Sequence, residues 1–326
     1  MPSLLECGEN AIGRYLLRRL LAYIPVLFGI SLGVFLLMRL IPGDAVDIML
    51  GQIRVDPQTQ ESLRRLFGID RPLWEQYLVW LGSVLTGDLG VSIRTGRPVL
   101  TEITSAAWPT AQLAIASAIV GCVIAIPAGV FAAIRQYSWT DTLVSGFGYV
   151  GISTPVFWLG TLLILAFSVR LSWLPAGGYA NPTDDLWLAI KFTALPALTL
   201  GLVFAAFLMR IVRSSMLEVL RQDYVRTATA KGVKPSTVLM RHAFRNASIP
   251  VLTVIGLQFG WLIGGSVVVE QVFIRPGIGR LLVNAVFQRD YPIVQGVALF
   301  LAIVFLTINL LVDILYAFVD PRIRYE

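Results

Sequence analysis

Chemistry needs groups that can hold, donate or attack, and this 326-residue sequence offers few of them. A phosphate-cradling loop requires Gly-x-x-x-x-Gly-Lys-Ser/Thr, so that backbone N–H groups wrap the phosphates and the lysine meets their charge. The chain has three lysines, Lys191, Lys231 and Lys234, and none follows a glycine. Any ATP must therefore be bound by another polypeptide. The single histidine, His242, and the two cysteines, Cys7 and Cys122, give no metal-ligand spacing and no disulfide framework. No acid–base or metal constellation is evident, which argues against an enzyme. What remains is one strongly basic stretch, Arg210–Arg245, with Arg210, Arg213, Arg221, Arg226, Lys231, Lys234, Arg241 and Arg245 set against Glu218 and Asp223.

The elements around that stretch are apolar. Hydrophobic residues make up 56% of the chain and charged residues 14%, well below the roughly 25% of a soluble protein. Mean hydropathy is +0.74. So much apolar surface needs lipid as its solvent, and about 20 apolar residues suffice to cross the hydrocarbon. Six segments qualify: Leu20–Met38, Ala111–Ile134, Thr142–Val169, Phe192–Met209, Asn246–Val269 and Tyr291–Val312. None contains Asp, Glu, Lys or Arg, as expected when one charge at mid-bilayer costs at least about 2.5 kcal/mol. Leu20–Met38 follows Arg14, Arg18 and Arg19 but is longer than a signal sequence's apolar region and lacks a small-x-small cleavage site, so it reads as a retained span.

Excess Arg and Lys mark cytoplasmic loops. The basic stretch then lies in the cytoplasm, and counting spans both ways puts both termini there. Residues 42–107 fall outside, with a mixed balance of acids and arginines. Within them, Asp56-Pro57 reads as an N-cap with proline at the first helical position, and Gly68 as a helix end. Asp70-Arg71-Pro72 starts a second helix carrying Trp74, Tyr77, Leu78, Leu81 and Leu85 at helical spacing. That stripe suits either packing or the membrane interface. Arg39 is expected to snorkel to the outer interface near Asp44 or Asp47.

Several residues inside or beside the spans are candidates for a pathway or for helix packing. Gly29 and Gly33, and Gly256, Gly260 and Gly264, are small residues at four-residue spacing, which lets helices approach closely. Gln112, Ser153, Thr154, Gln258, Thr307 and Asn309 are polar groups suited to interhelical hydrogen bonds or to lining a pathway. Asp313 lies roughly 10 Å before Asp320 along a helix, and is either a proton-relay candidate or a structural acid. Glu270 either faces a cationic group in transit or pairs with Arg275 or Arg280. Prolines 25, 127, 155, 196 and 250 predict kinks.

The basic stretch itself divides into pieces. The fourth span continues through Arg213–Leu220, and Asp223 starts a short helix whose first-turn charge suits the dipole. Tyr224, Arg226, Thr227, Ala228, Ala230 and Lys231 follow, and Gly232 ends it as a C′ residue. Lys234-Pro235-Ser236 restarts a helix into the fifth span. Ala228 and Ala230 give a slim profile for a groove on another protein, with Arg226, Lys231 and Arg241 placed to meet acids on its rim. A solvated loop that merely sets topology is the competing reading.

The stretch resembles the cytoplasmic loop of ABC-type importer permeases, whose short helix couples to ATPase subunits. The general superfamily pattern is met only at Ala228 and Gly232. Asp223–Gly232, His242–Ala247 and Ile249-Pro250 resemble the dipeptide/oligopeptide/nickel branch almost residue for residue. So do Ile41-Pro42-Gly43-Asp44, Gly87-Asp88-Leu89-Gly90, Thr154-Pro155-Val156-Phe157-Trp158, Pro276-Gly277-Ile278-Gly279-Arg280, Arg289–Gly296 and Asp320–Arg324, in order along nearly the whole chain. The resemblance implies an all-α integral membrane protein with six transmembrane helices of the type I ABC importer permease fold, of the first-subunit kind. It implies a cytoplasmic N-terminus and first span over 1–41, an extracytoplasmic helical insertion over 42–107, a five-helix core over 108–318 that includes the coupling loop 210–247, and a tail over 319–326. It further implies a related second permease as heterodimer partner, two ATPase subunits carrying ATP and Mg, an extracytoplasmic solute-binding protein, and no cofactor in this chain. The function expected is binding-protein-dependent import of peptides or similar small solutes across the bacterial or archaeal cytoplasmic membrane, with no nucleic acid involved. A proton-coupled secondary transporter is the alternative, disfavoured by the lack of buried charges other than Asp313 and of visible inverted repeats.

Overall fold

The computed structural model describes residues 4–40, 46, 56–66 and 68–319. The motifs Ile41–Asp44 and Asp320–Arg324, and the acids Asp44 and Asp47, lie outside them. Regular structure among the described residues is helical, apart from one isolated bridge between Val91 and Pro98. In order the helices are α1 (Leu4–Leu40), α2 (Pro57–Leu66), α3 (Leu73–Leu85), α4 (Val99–Ile134), α5 (Trp139–Ser153), α6 (Val156–Leu163), α7 (Leu186–Leu220), α8 (Asp223–Ala230), α9 (Pro235–Thr237), α10 (Arg245–Val272), α11 (Ile278–Phe287) and α12 (Tyr291–Val319). Seven-residue π-helical stretches extend α6 to Arg170 and join α9 to α10.

Among the described residues, five helical runs are long and apolar enough to cross a membrane: Arg18–Leu40, Val99–Ile134, Leu186–Leu220, Pro235–Val272 and Tyr291–Ile314. The third apolar segment, Thr142–Val169, is made of two helices. At Pro155, where the sequence predicts a kink, α5 and α6 meet at a bend of 106°. Pro155 has no N–H to donate and its ring disfavours the helical region for the residue before it. Thr154 accordingly sits at φ −83°, ψ 124° and Pro155 at φ −61°, ψ 130°. Pro25, Pro127, Pro196 and Pro250 instead lie inside helices that continue past them.

The chain forms two compact units. The first takes residues up to Trp108 and Arg280–Thr307. Here α3 turns Tyr77 inward, edge-on to Phe28 and Phe35, with its hydroxyl 2.9 Å from Ser31 Oγ. The apolar stripe of α3 is therefore split, because Trp74, Leu78 and Leu85 remain exposed. Arg39 donates to Gln76 Oε1 at 2.7 Å and lies over the rings of Phe35 and Tyr291. Asp290 caps the start of α12, where Ser92 Oγ donates to Oδ2 at 2.5 Å and Ile293 N–H to Oδ1 at 3.4 Å. Gly68, at φ +64°, closes α2 with Gly68 and Ile69 N–H groups bonded back to Arg65 and Arg64.

The second unit, Pro109–Gly279 with Ile308–Ile323, is built around α7, which among the described residues is the most buried of the five long apolar helices. Leu195, Leu200, Phe204, Leu208, Met209, Val212 and Met216 form its core, packed against α5, α6 and α10. Lipid gives helices no hydrophobic reason to associate, so close backbone approach has to supply the attraction. Glycine supplies it between α4 and α7. A Cβ on Gly121 would lie 2.2 Å from the Phe204 ring, one on Gly129 2.7 Å from Met209 O, and one on Gly201 2.9 Å from Ser117 O. By contrast, a Cβ on Gly29 or Gly33 would meet nothing within 4 Å among the described residues. Gly201→Val is expected to cost about 1–3 kcal/mol through overpacking, read as a lower Tm of the detergent-solubilised protein. Gly146→Ala, where an added Cβ has open space, is expected to leave Tm unchanged or raise it.

Candidate functional site

The loop between α7 and α10 is made from short local signals. Arg221 ends α7, and Gln222 at φ −72°, ψ 147° turns the chain into α8. The helix closes through paired bonds, Gly232 N–H to Thr229 O at 3.0 Å and Val233 N–H to Ala228 O at 3.3 Å. This double closure requires a left-handed residue at its turn, and Gly232 takes φ +75°. Pro235 then opens α9 at its first position. Val225 is the buried anchor of α8, and Tyr224 OH accepts a 2.8 Å hydrogen bond from Asn246 Nδ2 at the start of α10. Asp223, Tyr224, Arg226, Thr227, Ala230, Lys231 and Gly232 are exposed, and Ala228 is half-buried. Arg226 and Asp223 approach to 3.8 Å with both side chains in solvent, so their pairing contributes little and leaves both charges open to a partner. His242 is half-buried in the π-helical stretch that follows.

At the far end of α10 lies a buried polar cluster. Glu270 is fully buried, so its carboxylate meets no solvent. Thr110 Oγ1 donates to Glu270 Oε1 at 2.6 Å and accepts the Ile278 N–H at 2.8 Å, while Ser266 Oγ lies 3.2 Å from the same carboxylate oxygen. Gly277 leaves room for this carboxyl group, because a Cβ there would displace Glu270 Cδ. Arg275 is also fully buried. Its guanidinium donates to Pro109 O at 3.2 Å, Thr193 Oγ1 at 3.2 Å and Gln112 Oε1 at 2.7 Å, and lies over the Tyr179 ring. Burial pushes the Arg275 pKa below its ordinary value, and Tyr179 and Glu270 push it partly back. Gln112 thus makes an interhelical hydrogen bond.

The remaining candidates are spread out. A Cβ on Gly256 would meet Val312 at 2.6 Å, one on Gly264 would meet nothing within 4 Å, and Gly260, Gln258 and Asp313 are half-buried. Fourteen residues separate Gly256 from Glu270, about 21 Å of helix, so these side chains do not form one site. At the elbow, Tyr149, Thr154, Phe157 and Trp158 line an open cleft of about 560 Å³. Sequence reasoning passed over Asp141, whose carboxylate is gripped by Arg213. Its signal was its position immediately before an apolar segment. Thr110→Val is expected to leave the Ile278 N–H and Glu270 each short of a partner, lowering stability by about 1–3 kcal/mol. The check is thermal denaturation of the solubilised protein, in which Thr110→Ser should hold the wild-type Tm.

Comparison with known proteins adds family information. The family described as "Binding-protein-dependent transport system inner membrane component" matches residues 125–325, and that described as "Binding-prot-dependent transport system membrane comp, N-term" matches residues 12–107. The chain is 45% identical over 312 residues to the glutathione transport system permease protein GsiC of Escherichia coli O6:H1, covering 96% of this chain and 99% of that one. It is 42% identical over 335 residues to the dipeptide transport system permease protein DppB of Alkalihalophilus pseudofirmus, covering 95% and 99%. Among solved structures, the fold is shared with the MetNI methionine ABC transporter in an inward-facing conformation, with a TM-score of 0.53 at 19% identity over 68% of this chain and 97% of that chain. An amino acid ABC transporter crystallised with histidines gives a TM-score of 0.50 at 17% identity, over 67% and 94%.

Proposed function

The chain belongs to the family of binding-protein-dependent transport system inner membrane components, and from that premise we propose that it imports peptides or similar small solutes through a pore shared with a second, related permease. The coarser statements follow from the family itself. The chain is a multi-pass permease subunit of an ABC importer, it works with ATPase and substrate-binding-protein partners, and ATP is hydrolysed on the separate ATPase subunits. Its family and fold are those of ABC permeases and not of a proton-coupled secondary transporter.

In this reading α8, with Lys231 and Gly232, docks in a groove of an ATPase subunit that holds ATP and Mg. One observation carries it: α8 is anchored through Val225 while Asp223, Arg226, Thr227, Ala230 and Lys231 stay exposed. A helix whose charges find no firm partner among the described residues is suited to the rim of another protein's groove. Placing this loop in the cytoplasm puts both termini there too, and the opposite face meets the solute-binding protein. The names of the relatives, a glutathione and a dipeptide permease, support a solute with a peptide backbone.

Docking of this kind moves as a unit, so closure of the ATPase pair switches the pore between its two facings. Gly232→Pro removes a left-handed glycine and one of the two closing N–H donors, and Arg226→Glu reverses a rim charge. Each is expected to reduce ATP-dependent uptake of a labelled dipeptide by about tenfold or more, a coupling loss of ordinary size, while membrane insertion stays normal. Undiminished uptake in both variants would remove α8 from the docking role.

A further inference from the structure

Arg213 and Asp141 join two helices that the docking reading leaves unconnected. Arg213 Nε lies 2.5 Å from Asp141 Oδ1 and Nη2 lies 2.8 Å from Oδ2, a fork-on-fork arrangement. The Asp141 side chain is 7% exposed and that of Arg213 26%. Asp141 Oδ2 also accepts the Tyr137 N–H at 2.9 Å, and Tyr137 is held at φ +64°, a conformation that non-glycine residues seldom adopt. The carboxylate is thus built into the first turn of α5 by its own chain and then gripped by α7. Two-point, mostly buried pairing of this kind differs from the solvated contact of Arg226 with Asp223.

A second attachment lies further along the same helices. A Cβ on Gly151 would fall 2.6 Å from Ala206 Cβ, and one on Gly148 would fall 3.3 Å from Ala206 O. Between the two attachments is a cavity of about 60 Å³ bordered by Val144, Ser145, Gly148 and Met209. Both ends of α5 are thus held to α7. Beyond them, at Thr154-Pro155, the chain leaves the helix and bends by 106°. Arg213 stands two helical turns before the end of α7, and α8 begins three residues after that end.

We propose that the Arg213–Asp141 pair is a strut that makes α5 and α7 one arm, so that movement delivered to α8 reaches the elbow at Thr154-Pro155. Both residues are positioning residues for transport. The proposal rests on α8 being the ATPase-docking helix, and the test below separates the two.

The experiment uses the reconstituted complex, with this chain carrying Ser153→Cys at the elbow in a background free of Cys7 and Cys122. The readout is the rate of maleimide labelling without nucleotide and with ATP and vanadate, alongside ATP hydrolysis and co-purification of the ATPase subunits. With the strut intact, nucleotide changes the labelling rate. Asp141→Asn is expected to shrink that change roughly fivefold or more, within the usual range of coupling between sites, while hydrolysis and co-purification persist. Arg213→Lys, which keeps the charge but loses the fork, is expected to fall between. A full labelling response in Asp141→Asn overturns the strut. So does a loss of response, hydrolysis and assembly in proportion, because that is what a merely structural pair would produce. Arg226→Glu is the separate arm: if it leaves co-purification, hydrolysis and labelling response all intact, the docking reading fails whatever Asp141 does.

Discussion

A peptide group in lipid has no water to bond to, so the backbone must satisfy itself within each span. That constraint accounts for the long helices of this chain and for the care taken where a helix stops. At Thr154-Pro155 the i to i+4 ladder cannot continue, since Gly151 O would need an N–H that Pro155 does not have. Such a break at membrane depth is tolerated where it lines a cavity or is covered by protein, and it lies beside a cleft. Pro127, Pro196 and Pro250 instead sit in helices that run on.

The same solvent sets how the helices hold together. Since apolar side chains gain nothing by leaving lipid for one another, backbone proximity and polar contacts take over. In the second unit, Gly121, Gly129 and Gly201 bring α4 against α7, and Gly151 brings α5 against it. Polar contacts appear near helix ends, where Arg213 holds Asp141 and Arg275 is spread over Pro109, Thr193 and Gln112. The fully buried Arg275 thus meets three acceptors, as burial of a charge demands. α7 gathers these contacts and leads into the exposed helix α8, so a deeply buried span and an exposed charged helix are consecutive in the chain.

This arrangement suits a subunit whose energy is supplied by another polypeptide. The apolar spans hold no nucleotide motif, and membership of the binding-protein-dependent permease family assigns hydrolysis to ATPase subunits. What the chain contributes is a helical body with an exposed charged helix at one loop and a bend in one span. Family landmarks acquire physical reasons here. Gly277 makes room for Glu270, Gly279 for the Val267 backbone, and Asp290 holds the entry to α12 against Ser92.

Sequence by itself determined the number and placement of the apolar segments, because charges are excluded from lipid wherever the segment comes to rest. It also determined the short helix Asp223–Ala230 and its stop, since Asp223, Gly232 and Pro235 act through bonds a few residues long. The two helices after residue 55 were legible for the same reason, from Asp56-Pro57, Gly68 and Pro72. Only tertiary structure decided that the third span bends at Pro155 while α4, α7 and α10 carry their prolines through. It alone turned Tyr77 inward while Trp74 and Leu78 stayed out, and joined Asp141 to Arg213 across 72 residues. Local signals and solvent exclusion act along the chain. Burial and pairing depend on which helix arrives opposite, and nothing in the spacing of Asp141 announces the arginine that will meet it.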